Sequence, residues 1–272
     1  MSELAGDIEV AVTEPAGLDG TQAIRRAVTI LKIIASGGRA GVTLSHVSKT
    51  LQLPRSTTHR ILKCLAAEGL IDQDPTQHGY SVGHLAYELG LAVVRDFHGT
   101  TQWSALVDTV AQRTRHTAYL LARSGTDAVC VHKAESRGAL RVVPVDVGQR
   151  RPLGVGAGAL ALLASFEPAD IARIARSLVP SLYRYTQLTA DLVIQDALCA
   201  KERGFAVSRG RVFSEVVGIG FVLPPINAAR LAISIAAPAS VMNPDTIGQL
   251  VTTMRTTIDA AVQQLKPLGG YR

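Results

Sequence analysis

Apolar positions change their spacing along the chain, and the spacing predicts its elements. From Thr21 to about Ala35, Ile24, Ala27, Val28, Leu31 and Ile34 recur every three or four residues, which predicts a helix with one buried stripe. Thr21 stands where a hydroxyl caps that helix, and Gly37-Gly38 ends it. Leu44, Val47 and Leu51 predict a second, short helix from Thr43 to about Leu51. A tight turn at Gln52-Leu53 follows. Pro54 suits the first position of a third helix, and Gly69 suits the left-handed position that closes it. Residues 70–83, LIDQDPTQHGYSVG, read as strand, turn and strand, the turn running from Pro75 to Gly79. A helix from Leu85 to about Phe97 comes next, with Leu85, Leu89 and Val93 on one stripe, and Trp103 to Arg113 reads as another.

Alternation replaces helical spacing after that. TAYLLARSG, AVCVHKAES and LRVVPVDVG read as three strands, with turns near Gly125 and Gly138. Residues 148–166, GQRRPLGVGAGALALLASF, are glycine-rich and become a helix at about 157–166. Helices are predicted over 168–178 and 191–203, the latter stopped by Gly204. Residues 218–241 are apolar enough to suggest a membrane span, but Pro224, Pro225, Asn227 and Arg230 interrupt them, and two buried strands joined by a turn fit better. In the second of these, RLAISIAAP, Ser234 alternates with Ile233 and Ile235. A final amphipathic helix runs from Pro244 to Leu265. Runs of helices and strands in this order place the chain in the α+β class.

Composition bounds the reading. The chain has 272 residues, 47% hydrophobic and 18% charged, a globular profile that allows one large domain or two ordinary ones. Its net charge of +6 is uneven: residues 1–20 carry −5, residues 21–85 carry +5, and the remaining 187 carry +6. Residues 1–20 lack periodicity and read as a disordered tail. The dense basic block has two open readings, a polyanionic partner or a solvated surface. Cys64, Cys130 and Cys199 are far apart without a Cys-x-x-Cys, so neither a metal cage nor a disulfide framework is expected. The acidic start lacks the features of a signal peptide, and a reduced, cytoplasmic protein is expected, with no membrane association.

Chemistry concentrates in LPRSTTHRILKCL, residues 53–65. At about 100° per residue, Thr58, Ile61, Leu62 and Leu65 lie together and face a core. Ser56, His59, Arg60 and Lys63 lie opposite, flanked by Arg55 and Thr57. Two short helices, a tight turn and such a face make a helix-turn-helix, whose second helix reaches base edges in the major groove. Arg forks onto guanine, and Ser and Thr bond to bases or phosphate. The following hairpin is then a wing, with His78 at its tip either on phosphate or minor groove or simply solvated.

These residues carry a resemblance. The order of helices, LPRSTTHRILKCLAAEGLI, then YSVG and a further helix, resembles the IclR family of bacterial transcription regulators over about residues 21–265. The resemblance implies an N-terminal winged helix-turn-helix domain at 21–84, a linker helix at 85–99 and a GAF-like α/β effector-binding domain at 100–272. It implies double-stranded operator DNA and a small-molecule effector as partners, and a homodimer or dimer-of-dimers tetramer. DNA would be read by Arg55, Ser56, Thr57, His59 and Arg60, with Lys63 on phosphate and His78 on the wing. The glycine-rich segment resembles the family's effector loop at Pro152, Leu153 and Ala157, but Gly154 and Gly156 stand where a His and a Thr are usual. The effector candidates are Leu153, Gly154, Val155, Gly156, Ala157, Arg211, Ile219, Gly220 and Ser234. Arg211 replaces a usual acid. In the pocket it would favour an acidic ligand; the alternative is a surface residue. For the glycine loop the alternatives are anion binding at a helix start or mere helix–sheet packing.

No catalytic constellation is expected. The chain has no Gly-x-Ser-x-Gly, His-Glu-x-x-His or Gly-x-x-x-x-Gly-Lys, and its glycines lack the context of a dinucleotide fingerprint, so neither a cofactor nor a metal is implied. A winged-helix protein scaffold is the alternative to a regulator, and steep salt dependence of binding separates the two.

Overall fold

The computed structural model describes residues 21–37, 41–76, 78–94, 98–136, 145–210, 212–225 and 229–265. The chain divides into two compact units, residues 1–95 and 96–272. The expected tail at 1–20 and most of the third expected strand lie outside the described residues.

In the first unit, α1 (Gln22–Ser36), α2 (Leu44–Leu51) and α3 (Arg55–Ala67) pack around Ile30, Ile33, Ile34, Val47, Leu62 and Leu65. The apolar face of α1 is broad: of the expected stripe, Ile34 is buried and Ala27 and Leu31 pack against the core, but the Ile24 and Val28 flank is not part of it. Ile24 and Val28 are 65% and 44% exposed, while Ile30 and Ile33 are buried. Thr43 caps α2 by accepting from the His46 N–H at 3.3 Å. Pro54 is the residue before α3, not its first: its ψ of 140° is extended, and the helix begins at Arg55. Past the end of α3, Gly69 has φ +70°, and the Leu70 N–H donates to Leu65 O at 3.0 Å, the reversal that a left-handed residue permits. Strands β1 (Ile71–Gln73) and β2 (Tyr80–Val82) form the expected hairpin, and Val42 bridges to Tyr80. Helix α4 (His84–Val94) follows. Its Leu89, expected on a buried stripe, is 55% exposed.

Among the described residues, the second unit has one antiparallel sheet of six strands in the order β5-β4-β3-β8-β7-β6. These are β3 (Thr117–Ser124), β4 (Asp127–Ala134), β5 (Arg150–Pro152), β6 (Ala206–Arg209), β7 (Val216–Val222) and β8 (Leu231–Pro238). Helices α5 (His98–Thr114) and α10 (Pro244–Leu265) cover one face through Trp103, Val107, Val110 and Met254. Helices α6 (Ala157–Ala164), α7 (Pro168–Ser177), α8 (Val179–Leu182) and α9 (Ala190–Arg203) form the layer on the other. Because both faces are covered, β8 is buried almost throughout and reads as a continuous apolar run. The two strands expected within 218–241 are β7 and β8, and no described helix is long and apolar enough to cross a membrane.

The layer contact depends on small residues. A methyl group on Gly220 would overlap the backbone carbonyl of Ala157, and backbone cannot swing aside as a side chain can. We therefore expect Gly220→Ala to destabilise the second unit by about 1–3 kcal/mol. Trp103 is the only tryptophan and is buried in that unit, so its fluorescence in a urea titration measures the loss directly. An unchanged midpoint would show that α6 lifts from the sheet without cost.

Candidate nucleic-acid interface and ligand cavity

The turn between α2 and α3 is fixed by its own backbone. Gln52 takes φ +52°, and its N–H donates to Lys49 O at 3.2 Å. The Leu53 N–H donates to Ser48 O at 3.1 Å, and the Ser48 hydroxyl returns a bond to Leu53 O at 2.7 Å. Thr58 is fully buried, its hydroxyl donating to Pro54 O at 3.2 Å. Leu62 and Leu65 continue that inner face. The rotation of α3 is thereby set, and Arg55, Ser56, His59, Arg60 and Lys63 stand exposed on its outer side, with Thr57 half-buried. The Arg55 guanidinium donates to the Ser45 hydroxyl on α2 at 3.0 Å, which ties the two helices at their shared surface. Ser45 was not among the expected residues; an exposed serine on the first helix of such a motif gives no sequence signal of its own.

The hairpin tip is also built. Asp74 accepts from the Thr76 N–H at 2.7 Å and the Thr76 hydroxyl at 2.6 Å. His78 has φ +54°, its N–H donates to Asp74 O at 2.9 Å, and its side chain is exposed.

In the second unit a cavity of about 60 Å³ lies between the start of α6 and the sheet. Of the expected ligand residues, Val155, Gly156, Ala157 and Ser234 line it. Four others do not. Leu153 is buried in the core, and Gly154 is pressed against Val193. Ile219 points through the opposite face of the sheet toward α5 and α10, because strand neighbours alternate and Gly218 has the cavity side. Gly220 shares that side but lies under Ala157. Arg211 lies outside the described residues.

Residues not singled out complete the wall: Tyr119, Leu121, Val145, Arg151, Ser208, Val212, Phe213, Val216 and Ile235 among them. Arg151 was legible in principle. Two adjacent arginines on one strand must face opposite ways. Arg150 goes to Asp127 at 3.4 Å and Ser124 at 3.1 Å, and Arg151 takes the cavity. Its guanidinium carbon lies 5.5 Å from the centre of the Phe213 ring. Burial pulls the Arg151 guanidinium below its ordinary value, and burial raises the Tyr119 and Tyr185 phenols near it. Cys130, buried nearby, is pushed up to about 12 by the same cause. Among the described residues, no three or more His, Cys, Asp or Glu gather where they would hold a metal ion.

Comparison with known proteins assigns a domain family to each unit. The IclR helix-turn-helix domain matches residues 23–75, and the bacterial transcriptional regulator IclR C-terminal domain matches residues 92–262. The HTH-type transcriptional repressor AllR of Salmonella paratyphi A (strain ATCC 9150 / SARB42) is 28% identical over 265 residues, covering 93% of this chain and 94% of that one. The HTH-type transcriptional regulator BhcR of Paracoccus denitrificans (strain Pd 1222) is 28% identical over 226 residues, covering 80% and 78%. Among solved structures, a putative IclR transcriptional regulator from Silicibacter sp. TM1040 superposes with a TM-score of 0.70 at 21% identity, covering 89% of this chain and 95% of that one.

The buried thiol generates a pH prediction. Cys130 keeps its proton in the folded state to about pH 12, whereas the unfolded thiol loses it near 9. Its contribution is therefore intact below pH 9 and declines as pH rises above it. Between pH 9 and 10, before Tyr119 and Tyr185 join, urea titrations should show stability falling by up to about 1.4 kcal/mol per unit. Cys130→Ala should flatten that slope; an identical slope would assign the loss to other groups.

Proposed function

The chain belongs to the IclR family of bacterial transcriptional regulators, and we propose from that premise that it binds operator DNA through α3 under the control of a small acidic effector in the second unit. The observation that carries the reading is the outer face of α3. Five exposed donor side chains sit on the first turns of a helix whose rotation and entry are fixed from inside. In the major groove, Arg55 and Arg60 read guanine edges, Ser56, Thr57 and His59 contact bases or phosphate, and Lys63 holds phosphate. His78 at the hairpin tip reaches the flanking backbone. The protein acts in the cytoplasm as a homodimer or a dimer of dimers, presenting two α3 helices to half-sites about 34 Å, or a multiple of it, apart. It works by binding rather than catalysis. The cavity beneath α6 receives the effector, and Arg151 in its wall favours an acid.

The test is an anisotropy titration against the DNA flanking its own gene, at two salt concentrations and with nonspecific competitor. Tight, competitor-resistant binding that weakens steeply with salt is expected. Arg60→Ala should weaken operator binding by roughly 1–3 kcal/mol while leaving the unfolding midpoint in place. Full affinity in that variant would remove Arg60 from the interface. Binding insensitive to salt would sink the reading of α3 as a DNA-contacting helix.

A further inference from the structure

Three features that favour an anion meet in the cavity. The first is Arg151, whose Nη1 lies 3.5 Å from where a methyl group on Gly156 would stand. A guanidinium stays charged at any pH the protein meets. The second is the start of α6. Gly156 precedes the helix with φ +86°, no side chain caps it, and the N–H groups of Ala157, Gly158 and Ala159 have no acceptor one turn back. The third is Ser234, which is 6% exposed and whose hydroxyl bonds to no other described residue. It stands 3.0 Å from the position of a Cβ on Gly158, so glycine there leaves the hydroxyl and the helix start open to the same space.

The remainder of the wall limits what the anion is attached to. Leu121, Val145, Val212, Val216 and Ile235 are apolar, and no Asp or Glu is among the described lining residues. Arg151 is the only residue of that lining with a formal charge. Phe213, 48% exposed, packs against its guanidinium and restricts where the fork points. A second carboxylate on the ligand would find at most the Tyr119 and Ser208 hydroxyls and no counter-charge, which is costly. A single carboxylate on a compact apolar body matches one formal charge in a mostly apolar wall.

We infer that the cavity selects monocarboxylic acids with a short apolar or aromatic body, held by Arg151, the first N–H groups of α6 and the Ser234 hydroxyl. This rests on the reading of the cavity as the effector site, and it names that effector's class. Arg151 is the specificity determinant, since it alone in the described lining distinguishes an acid from its isosteric amide by charge.

The experiment is calorimetric titration of the full-length protein with benzoate, isobutyrate, their uncharged amides, and succinate. At least one of the two monocarboxylates should bind more tightly than its own amide and than succinate. Arg151→Met should abolish the preference for acid over amide, a change of roughly tenfold or more, while the amide's own affinity persists. Ser234→Ala should reduce the preference by less, and serves if Arg151→Met fails to fold by circular dichroism. Equal binding of acid and amide by the natural protein, a preference for succinate, or binding by none of the five overturns the assignment. So does a preference that survives both substitutions. An operator titration with the same acids separates this from the function proposed above. An acid that binds through Arg151 without changing operator affinity keeps the anchor and removes the effector role. Operator release that is identical in Arg151→Met does the reverse.

Discussion

The second unit is organised by how closely α6 approaches β7 and β8. Gly158, Gly218 and Gly220 have no side chains at the contact, and substituents on any of the three would collide with helix or sheet. That approach sets the height of the helix above the sheet. At its C-terminal part, Leu160 to Ala164 fill the gap and the interface is solid core. At its N-terminal end the chain rises through Gly154 and Gly156, both with positive φ, and the gap widens into the cavity. A single helix thus closes the core at one end and opens a binding space at the other. The cost of the arrangement is a row of glycines with little tolerance for substitution.

The first unit solves a comparable problem with hydrogen bonds in place of glycines. Thr58, Leu62 and Leu65 fix which side of α3 is in, and the Ser48–Leu53 pair fixes where α3 begins. The side that remains carries the cations and hydroxyls. Preorganisation of this kind leaves DNA contact with little backbone entropy to lose on docking.

How much was legible follows from these two strategies. Periodicity alone located α2, α10 and the hairpin, because each has one narrow apolar face or an unmistakable turn. It misplaced one flank of the buried stripe of α1, where apolar residues occupy more than half the circumference and only packing chooses among them. On α3 the polar face was readable because a helix wheel sorts one element at a time. The cavity was only partly readable. Its wall is assembled from β3, β5, β6, β7, β8 and the start of α6, and no local pattern says which side of a strand a distant helix covers. Hence Ile219, expected on the ligand side, stands on the other, and Arg151 is told from its neighbour Arg150 only by what packs on the strand. The parity of a strand is visible in sequence; its absolute phase is not, until something packs on it.

The sheet order has one further consequence, for behaviour at high concentration. Among the described residues, the six-stranded sheet is covered on both faces and its two rims are β5 and β6. Each is brief, three and four residues. On β5 the rim carries Arg150, Arg151 and Pro152, the last without an N–H to offer; on β6 it ends at Arg209. Short, cationic, proline-bearing borders are poor templates for strand addition between molecules. The longer apolar strands β3 and β8, whose exposure would invite fibrillar stacking, occupy the middle of the sheet and meet no neighbour but their own.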